Sequence, residues 1–135
     1  MVEKELVVTG KRKTSVAKVR IKKGTGQVLI NNIPYANLPT LRKLSISEPI
    51  KISENFLGDF NFDISINTIG GGKESQIQAA RLGIARAVIK FTENLELREA
   101  FVKYDRHLLV ADTRRKEQYK PGDSKARAKR QSSKR

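Results

Sequence analysis

Four side chains between residues 105 and 112 are of types that can transfer protons or bind charged substrates: Asp105, Arg106, His107 and Asp112. General acid–base catalysis needs such a group within hydrogen-bond reach of a nucleophile or of the substrate. His107 is the only histidine in the chain, and no nucleophile stands at a recognisable spacing from it. Arg106 would simply neutralise a nearby carboxylate. The sequence therefore does not predict an enzyme.

A glycine run at residues 70–72, followed by Lys73, invites comparison with phosphate-binding loops. A Walker loop needs a further glycine where Asn67 stands and Ser or Thr where Glu74 stands, and the dinucleotide pattern fails at Ser75. We therefore interpret the run chiefly as a turn between a strand and a helix. The bare amides of that helix, together with Lys73, would still suit one backbone phosphate of an RNA.

Lysine and arginine side chains are concentrated in two segments of the chain. Residues 4–23 hold eight basic side chains and one acid (net +7), and residues 114–135 hold ten and two (net +8). The segment between them is close to neutral. Two dense cationic blocks on a small domain with a pI of about 10.3 favour nucleic acid as the partner.

The last fifteen residues, 121–135, contain one acid, Asp123, and no large apolar side chain. Such a segment has nothing to bury that would offset its ordering entropy, so it cannot build a core. Fully extended, at about 3.3 Å per residue, it would reach roughly 50 Å. We interpret it as a basic extension that is ordered by a polyanion. Its basic residues are Lys125, Arg127, Lys129, Arg130, Lys134 and Arg135.

Within the first basic block, the predicted strand at residues 15–23 alternates, which puts Lys18, Arg20 and Lys22 on its wet face. Ala17, Val19 and Ile21 form the buried parity, and the residues between them form the wet one. No acid lies between residues 11 and 20, so we favour a phosphate-tracking ridge over a simple solubility face. Its candidate contact residues are Lys11, Arg12, Lys13, Lys18 and Arg20. Aromatic residues make up only 6% of the chain, which favours backbone and shape recognition over base stacking.

Several classes of protein and site are excluded or disfavoured by composition. The chain has no cysteine, so it has neither disulfides nor thiolate metal sites, and one histidine cannot form a zinc site alone. No apolar stretch is long enough to span a bilayer, and the first residues lack the apolar region of a signal peptide. We expect a cytosolic protein with no cofactor, no membrane partner and no small-molecule substrate.

Hydrophobic periodicity predicts an α+β domain with one sheet and helices mostly on one of its faces. The globular domain is expected to cover residues 1–113 and the basic tail residues 114–135. We predict strands at residues 6–8, 15–23, 27–30, 60–66 and 108–110, short helices at 38–44 and 49–56, and longer helices at 74–91 and 96–104. A basic bend at residues 10–14 joins the first two strands. Ala79, Ala80 and Gly83 should let the first long helix lie close to the sheet.

Four segments, found in this order, resemble the universal S-nine family of small-subunit ribosomal proteins. They are TGKRKTSVAKVR at residues 9–20, the glycine run with Gln76, ARLGIARA at 80–87, and YDRH at 104–107. The ending QSSKR is similar to that family's basic carboxyl terminus. The first segment, the YDRH segment and the compact N-terminus resemble archaeal members, whereas Lys134-Arg135 is similar to the bacterial ending. Ser132 stands where an aromatic side chain is common in bacterial members.

The resemblance implies a component of the small-subunit head bound to the 3′ major domain of 16S rRNA, beside other head proteins. It implies a four-stranded sheet packed on helices, with a left-handed β-α-β crossover. It also implies that the tail threads through rRNA and that Lys134 and Arg135 contact the anticodon stem-loop of P-site tRNA, with Gln131 and Ser133 adjacent. The expected rRNA-binding residues are Lys11, Arg12, Lys13, Lys18, Arg20, Lys73, Arg106, Arg114, Arg115, Lys116, Lys120, Lys125, Arg127, Lys129 and Arg130.

Two other functions remain open at this point. One is a free basic RNA- or DNA-binding architectural protein that acts outside the ribosome. The other is a small-molecule kinase that shares the crossover fold, against which the failed phosphate-loop pattern argues.

Overall fold

The computed structural model describes residues 3–119, which form one mixed sheet and three α-helices. The elements, in chain order, are β1 (Glu5–Arg12), β2 (Ser15–Lys23), β3 (Val28–Ile30), β4 (Ile33–Pro34), α1 (Thr40–Leu57), β5 (Phe62–Ile69), α2 (Lys73–Thr92) and α3 (Leu95–Tyr104). Short 3₁₀ turns occur at Tyr35–Asn37 and Arg106–Leu108. The α+β class expected from the sequence is confirmed.

The sheet has the strand order β1-β2-β5-β3-β4, in which only the β3–β5 pair is parallel. Its inner face is apolar: Val19 of β2 lies opposite Val8 on one side and Ile66 on the other, and all three are buried. On the opposite parity of β2, Lys18 and Arg20 are exposed. The predicted alternation of β2 is therefore confirmed, and the basic face of the sheet is left open.

Helix α2 packs directly on β1 and β2 because two glycines remove the side chains that would hold them apart. A Cβ atom at Gly10 would stand 2.2 Å from the carbonyl oxygen of Ala79 and 2.7 Å from the backbone nitrogen of Gly83. A Cβ atom at Gly83 would stand 2.4 Å from Cγ2 of Val19. The predicted close approach of this helix is confirmed, and Gly10 is its counterpart in the sheet.

Several strand predictions differ from the structure, and the strand predicted at residues 60–66 is displaced to Phe62–Ile69. The first strand is longer than predicted, and the predicted bend shrinks to a turn at Lys13 and Thr14, with Lys13 at φ 53°. The sheet has five strands where the resemblance implied four, because Asn31 and Asn32 both adopt positive φ and turn the chain back so that β4 pairs with β3. Residues 108–110 are not a strand. Leu108 instead ends a 3₁₀ turn and is fully buried.

The two short helices predicted around the prolines are one helix, α1, with Pro49 inside it. A proline removes one backbone hydrogen bond and normally interrupts a helix. Here Pro49 is buried beside Ile46 and Ile50, and burial of this apolar stripe keeps the helix continuous across the proline. The hydroxyl of Ser53 donates to the carbonyl of Pro49 at 2.7 Å. Helix α1 connects the parallel neighbours β3 and β5, and the hand of this β-α-β unit stays a prediction.

Candidate nucleic-acid interface

The two basic blocks of the sequence meet in one cleft beside the turn between β1 and β2. The cleft has a volume of about 580 Å³ and is lined by seven residues, which together we call the basic cleft. Five of them are cations and one is an acid, so the cleft is strongly positive. The lining residues are Arg12, Lys13, Thr14, Asp112, Arg114, Arg115 and Lys116.

Asp112 joins the two sides of the basic cleft. Its carboxylate accepts a hydrogen bond from the guanidinium of Arg12, a residue 100 positions earlier in the chain. It also accepts from the backbone N–H of Arg114 at 3.0 Å and from the Arg114 guanidinium at 2.6 Å. Arg115 donates to the carbonyl oxygen of Asp112 at 3.3 Å. The carboxylate thus connects β1 to residues 109–119, which we call the C-terminal segment.

The ionised form of Asp112 is strongly favoured. Hydrogen bonds from the side chain and then the backbone of Arg114, with a further one from Arg12, hold the pKa of the Asp112 carboxyl well below its usual range. A group whose pKa is depressed by folding contributes stability above its unfolded pKa and loses it as pH falls through the folded value. The connection is therefore present at neutral pH and is lost as pH falls through the depressed pKa of Asp112.

Replacing Asp112 with asparagine is expected to loosen the C-terminal segment without unfolding the domain. The amide keeps the shape but loses the charge, and it would turn N–H donors toward two guanidinium groups. Trypsin should then cut after Arg114 and Arg115 several-fold faster than in the parent chain. The matched control is Asp59→Asn, at an exposed position outside the basic cleft. Equal cleavage rates in both variants would show that Asp112 does not hold this segment.

A second arginine fixes the C-terminal segment further back. Nε of Arg86 donates to the carbonyl oxygen of Leu109 at 2.8 Å, and its NH1 lies 3.4 Å from the carbonyl oxygen of Thr9. Arg86 was not among the contact residues predicted from the sequence. The structure instead places it between β1 and the C-terminal segment. No local signal in the sequence could have found this contact, because its partners are backbone carbonyls.

The open face of the sheet forms a second basic surface. Lys18 lies between Thr9 and Asn67, and Arg20 lies between Val7 and Ser65. Both cations are exposed, but Arg20 also pairs with Glu5 at 3.1 Å, which reduces its availability to a phosphate. Lys22 extends the same row and was not among the predicted contact residues. Lys11 is exposed at the far end of β1.

The glycine run forms the predicted turn between strand β5 and helix α2. Gly70 and Gly71 adopt positive φ, and the carbonyl of Gly70 accepts hydrogen bonds from Ser15 at 3.0 Å and Gln76 at 3.1 Å. Lys73 is the first residue of α2 and is exposed, and no side chain caps this helix end. Glu74 beside it is engaged by Arg42 of α1 at 2.7 Å.

The side chains between residues 105 and 112 that were considered for proton transfer make contacts that stabilise the fold. Asp105 accepts from the backbone N–H of His107 at 2.9 Å and lies 3.5 Å from the guanidinium of Arg81, which also binds Glu48 of α1. Arg106 is exposed and lies apart from the basic cleft. Within residues 3–119, no group of acidic and histidine side chains could hold a metal ion. None of the helices in the same range is long and apolar enough to cross a membrane.

Within the described strands, no aromatic side chain lies on the open face of the sheet. Phe62 of β5 points inward and packs edge-on against Phe60 and Phe91. Near the basic cleft, Tyr119 is exposed, and Nζ of Lys116 lies 4.6 Å from the centre of its ring. Sequence reasoning missed Tyr119 because it follows no apolar pattern. The remaining predicted contact residues lie outside the described residues: Lys120, Lys125, Arg127, Lys129, Arg130, Lys134 and Arg135.

Comparison with known proteins gives consistent matches over nearly the whole chain. The family model described as Ribosomal protein S9/S16 matches residues 10–135. The chain is 41% identical over 127 residues to small ribosomal subunit protein uS9 of Methanococcus maripaludis strain C5, covering 92% of this chain and 93% of that protein. It is 40% identical, with the same coverage, to the uS9 protein of Methanococcus vannielii. These relatives agree with the archaeal character of the sequence.

Proposed function

The chain belongs to the S9 family of ribosomal proteins, and from that membership we propose that it helps to build the head of the small ribosomal subunit by binding 16S rRNA. The globular body would bind the 3′ major domain through its basic cleft and open sheet face. The tail would continue into the RNA and end at P-site tRNA. This is a structural role, and it needs no catalytic residue and no cofactor.

The observation that carries this proposal is the meeting of the two basic blocks in the basic cleft. Arg12 and Lys13 come from the first block, and Arg114, Arg115 and Lys116 come from the second. Arginine suits bidentate contacts to phosphate, whereas lysine acts as a point charge. The cleft offers both types within one concave surface, which matches the close spacing of phosphates where RNA helices converge.

Not every cation in the proposed rRNA-binding set is equally available to phosphate. In the described part of the chain, seven of these cations are exposed and carry no ion pair: Lys11, Lys13, Lys18, Lys73, Arg106, Arg115 and Lys116. Arg12 and Arg114 share Asp112. We therefore propose that the lysines make most of the direct phosphate contacts, while Arg12 and Arg114 mainly hold the cleft in shape.

The tail, residues 114–135, is proposed to form a unit distinct from the body at residues 1–113. Its first residues are bound to the body through Asp112. Its later cations, Lys120, Lys125, Arg127, Lys129 and Arg130, are proposed to neutralise rRNA phosphates along its path. Small side chains such as Ala126 and Ser133 would let the backbone pass through narrow gaps.

Deleting Lys134 and Arg135 is expected to leave subunit assembly intact and to weaken retention of P-site tRNA. Dissociation should be about thirtyfold faster, because two charged contacts that each contribute on the order of 1 kcal/mol are lost. The measurement is the tRNA off-rate from purified subunits, with a double replacement by glutamine as the control for chain length. Equal off-rates in variant and parent subunits would contradict the proposed tRNA contact.

Co-sedimentation separates the proposal from a free RNA- or DNA-binding architectural protein. An integral subunit component should stay with small subunits through a gradient at high salt, because many phosphate contacts and buried surfaces act together. A loosely bound basic protein should be released, since each phosphate contact adds roughly 0.7 to 0.9 to the slope of log affinity against log salt. Release of the chain at high salt would favour the architectural protein.

A further inference from the structure

The outer edge of β1 borders a groove that the proposed RNA contacts do not use. The groove has a volume of about 450 Å³ and lies between β1, α2, α3 and the C-terminal segment. Ile89 and Leu109 are half-buried there, whereas Val7, Lys90 and Arg98 are exposed. An exposed strand edge beside an apolar groove is a site at which another extended chain can add.

Two contacts bound the open part of this edge. At one end, Nζ of Lys4 donates to the carbonyl oxygen of Phe91 at 3.0 Å. At the other end, Arg86 lies between the carbonyl oxygens of Thr9 and Leu109. Between these contacts, residues 5–8 pair with β2 on one side and have no strand on their outer side within the described range. At about 3.3 Å per residue, this window would pair with a segment of four or five residues.

In this window, every second residue directs its backbone N–H and C=O groups away from β2. Arg12 and Ser15 flank the two-residue turn between β1 and β2, and the two residues of such a pair are hydrogen-bonded to each other. Going back along β1 from Arg12, every second residue is therefore hydrogen-bonded to β2. Glu5, Val7 and Thr9 therefore direct their N–H and C=O groups away from β2. The contact of Arg86 with the Thr9 carbonyl agrees with this alternation. Val7 thus offers one free donor and one free acceptor to an added strand.

The charge around the groove selects the kind of partner. Its lining includes Arg86, Lys90 and Arg98 and no acidic side chain. The basic tail of this chain would be repelled, and an RNA lacks the regular N–H and C=O pattern that a strand edge pairs with. We propose that the groove binds an extended acidic segment of a neighbouring protein, which adds as a strand to the edge of β1.

The experiment titrates the full-length protein at about 0.15 M salt, where distant surface charges are screened, with two capped pentapeptides. One has alternating glutamate and valine residues, and the other is identical except that its valine nitrogens are methylated. Amide resonances and exchange rates are followed by NMR. The first peptide should slow exchange at the Val7 amide, and the methylated peptide should bind about tenfold more weakly because it cannot complete the pairing. Equal binding of both peptides would overturn strand addition.

Two variants test the charge complementarity. Replacing Lys90 and Arg98 with glutamate should weaken binding of the first peptide about tenfold or more. The matched control replaces Lys51 and Lys103, which are exposed outside the groove, with glutamate and changes the net charge equally. Equal losses in both variants would show that the peptide only senses overall charge. Displacement of the peptide by a short oligouridylate that shifts the same groove resonances would overturn the proposal in favour of RNA.

Discussion

Replacing Gly10 with alanine is expected to destabilise the isolated domain by about 3 kcal/mol, at the upper end of the usual cost of overpacking. The added methyl group would collide with the backbone of α2 at Ala79 and Gly83, and backbone in a packed helix cannot move away by a side-chain rotation. Helix α2 would have to shift away from β1. The free energy of unfolding from urea denaturation measures the effect.

A second replacement and a control make this prediction sharper. Gly83→Ala should cost less, about 1 to 2 kcal/mol, because the collision is with the Val19 side chain and alanine favours a helix. Combining it with Val19→Ala should recover part of the loss relative to the sum of the single changes. Gly72→Ala is the spatial control, since nothing lies within 4 Å of its added methyl group. A Gly10→Ala variant as stable as the control would refute the close approach of α2 to the sheet.

Replacing Lys13, Arg115 and Lys116 together with alanine is expected to weaken binding to a 3′ major domain fragment of 16S rRNA about a hundredfold at low salt. These three cations line the basic cleft and lie outside the core. The slope of log affinity against log salt should fall by about 2 to 3, because each lost phosphate contact accounts for roughly 0.7 to 0.9. Filter binding or fluorescence anisotropy over a salt series measures both quantities.

The control for the rRNA prediction removes the same charge from elsewhere. Lys43, Lys51 and Lys103 are exposed on α1 and α3, and their replacement with alanine should change affinity only weakly. If both triple variants lose equal affinity and equal slope, recognition depends on net charge, and the basic cleft has no special role. Thermal unfolding of each variant without RNA checks that the folded state is preserved.

The parts of the fold that could be predicted from sequence are those in which one periodicity governs many residues. The alternation of β2 and β5 and the apolar stripe of α2 each repeat over eight or more positions. The misassigned parts depend on a few residues whose local structure is decided by packing against other elements of the fold. Pro49 indicated a break, but burial of α1 outweighs the lost hydrogen bond. Leu108 indicated a strand, but a single 3₁₀ turn is enough to bury it.

The candidate site was predictable in its residue types and less so in its organisation. Charge density identified both basic blocks, and the structure brings the first block and the beginning of the second into one cleft. Sequence could not show that Asp112 holds them together, because its partner Arg12 is 100 positions away. The sequence presented Asp112 as part of a weak catalytic group. The structure shows it as the acid that organises a cluster of cations.

The long-range connection through Asp112 makes folding and RNA binding thermodynamically dependent on each other. Only the folded chain holds Arg12 near Arg114, so a phosphate backbone that needs both sides of the cleft binds the native state and not the unfolded one. Such a ligand raises stability in proportion to the logarithm of its free concentration. Five cations around one carboxylate also repel each other until phosphates arrive. The protein is therefore expected to reach its full stability only after it has joined its RNA.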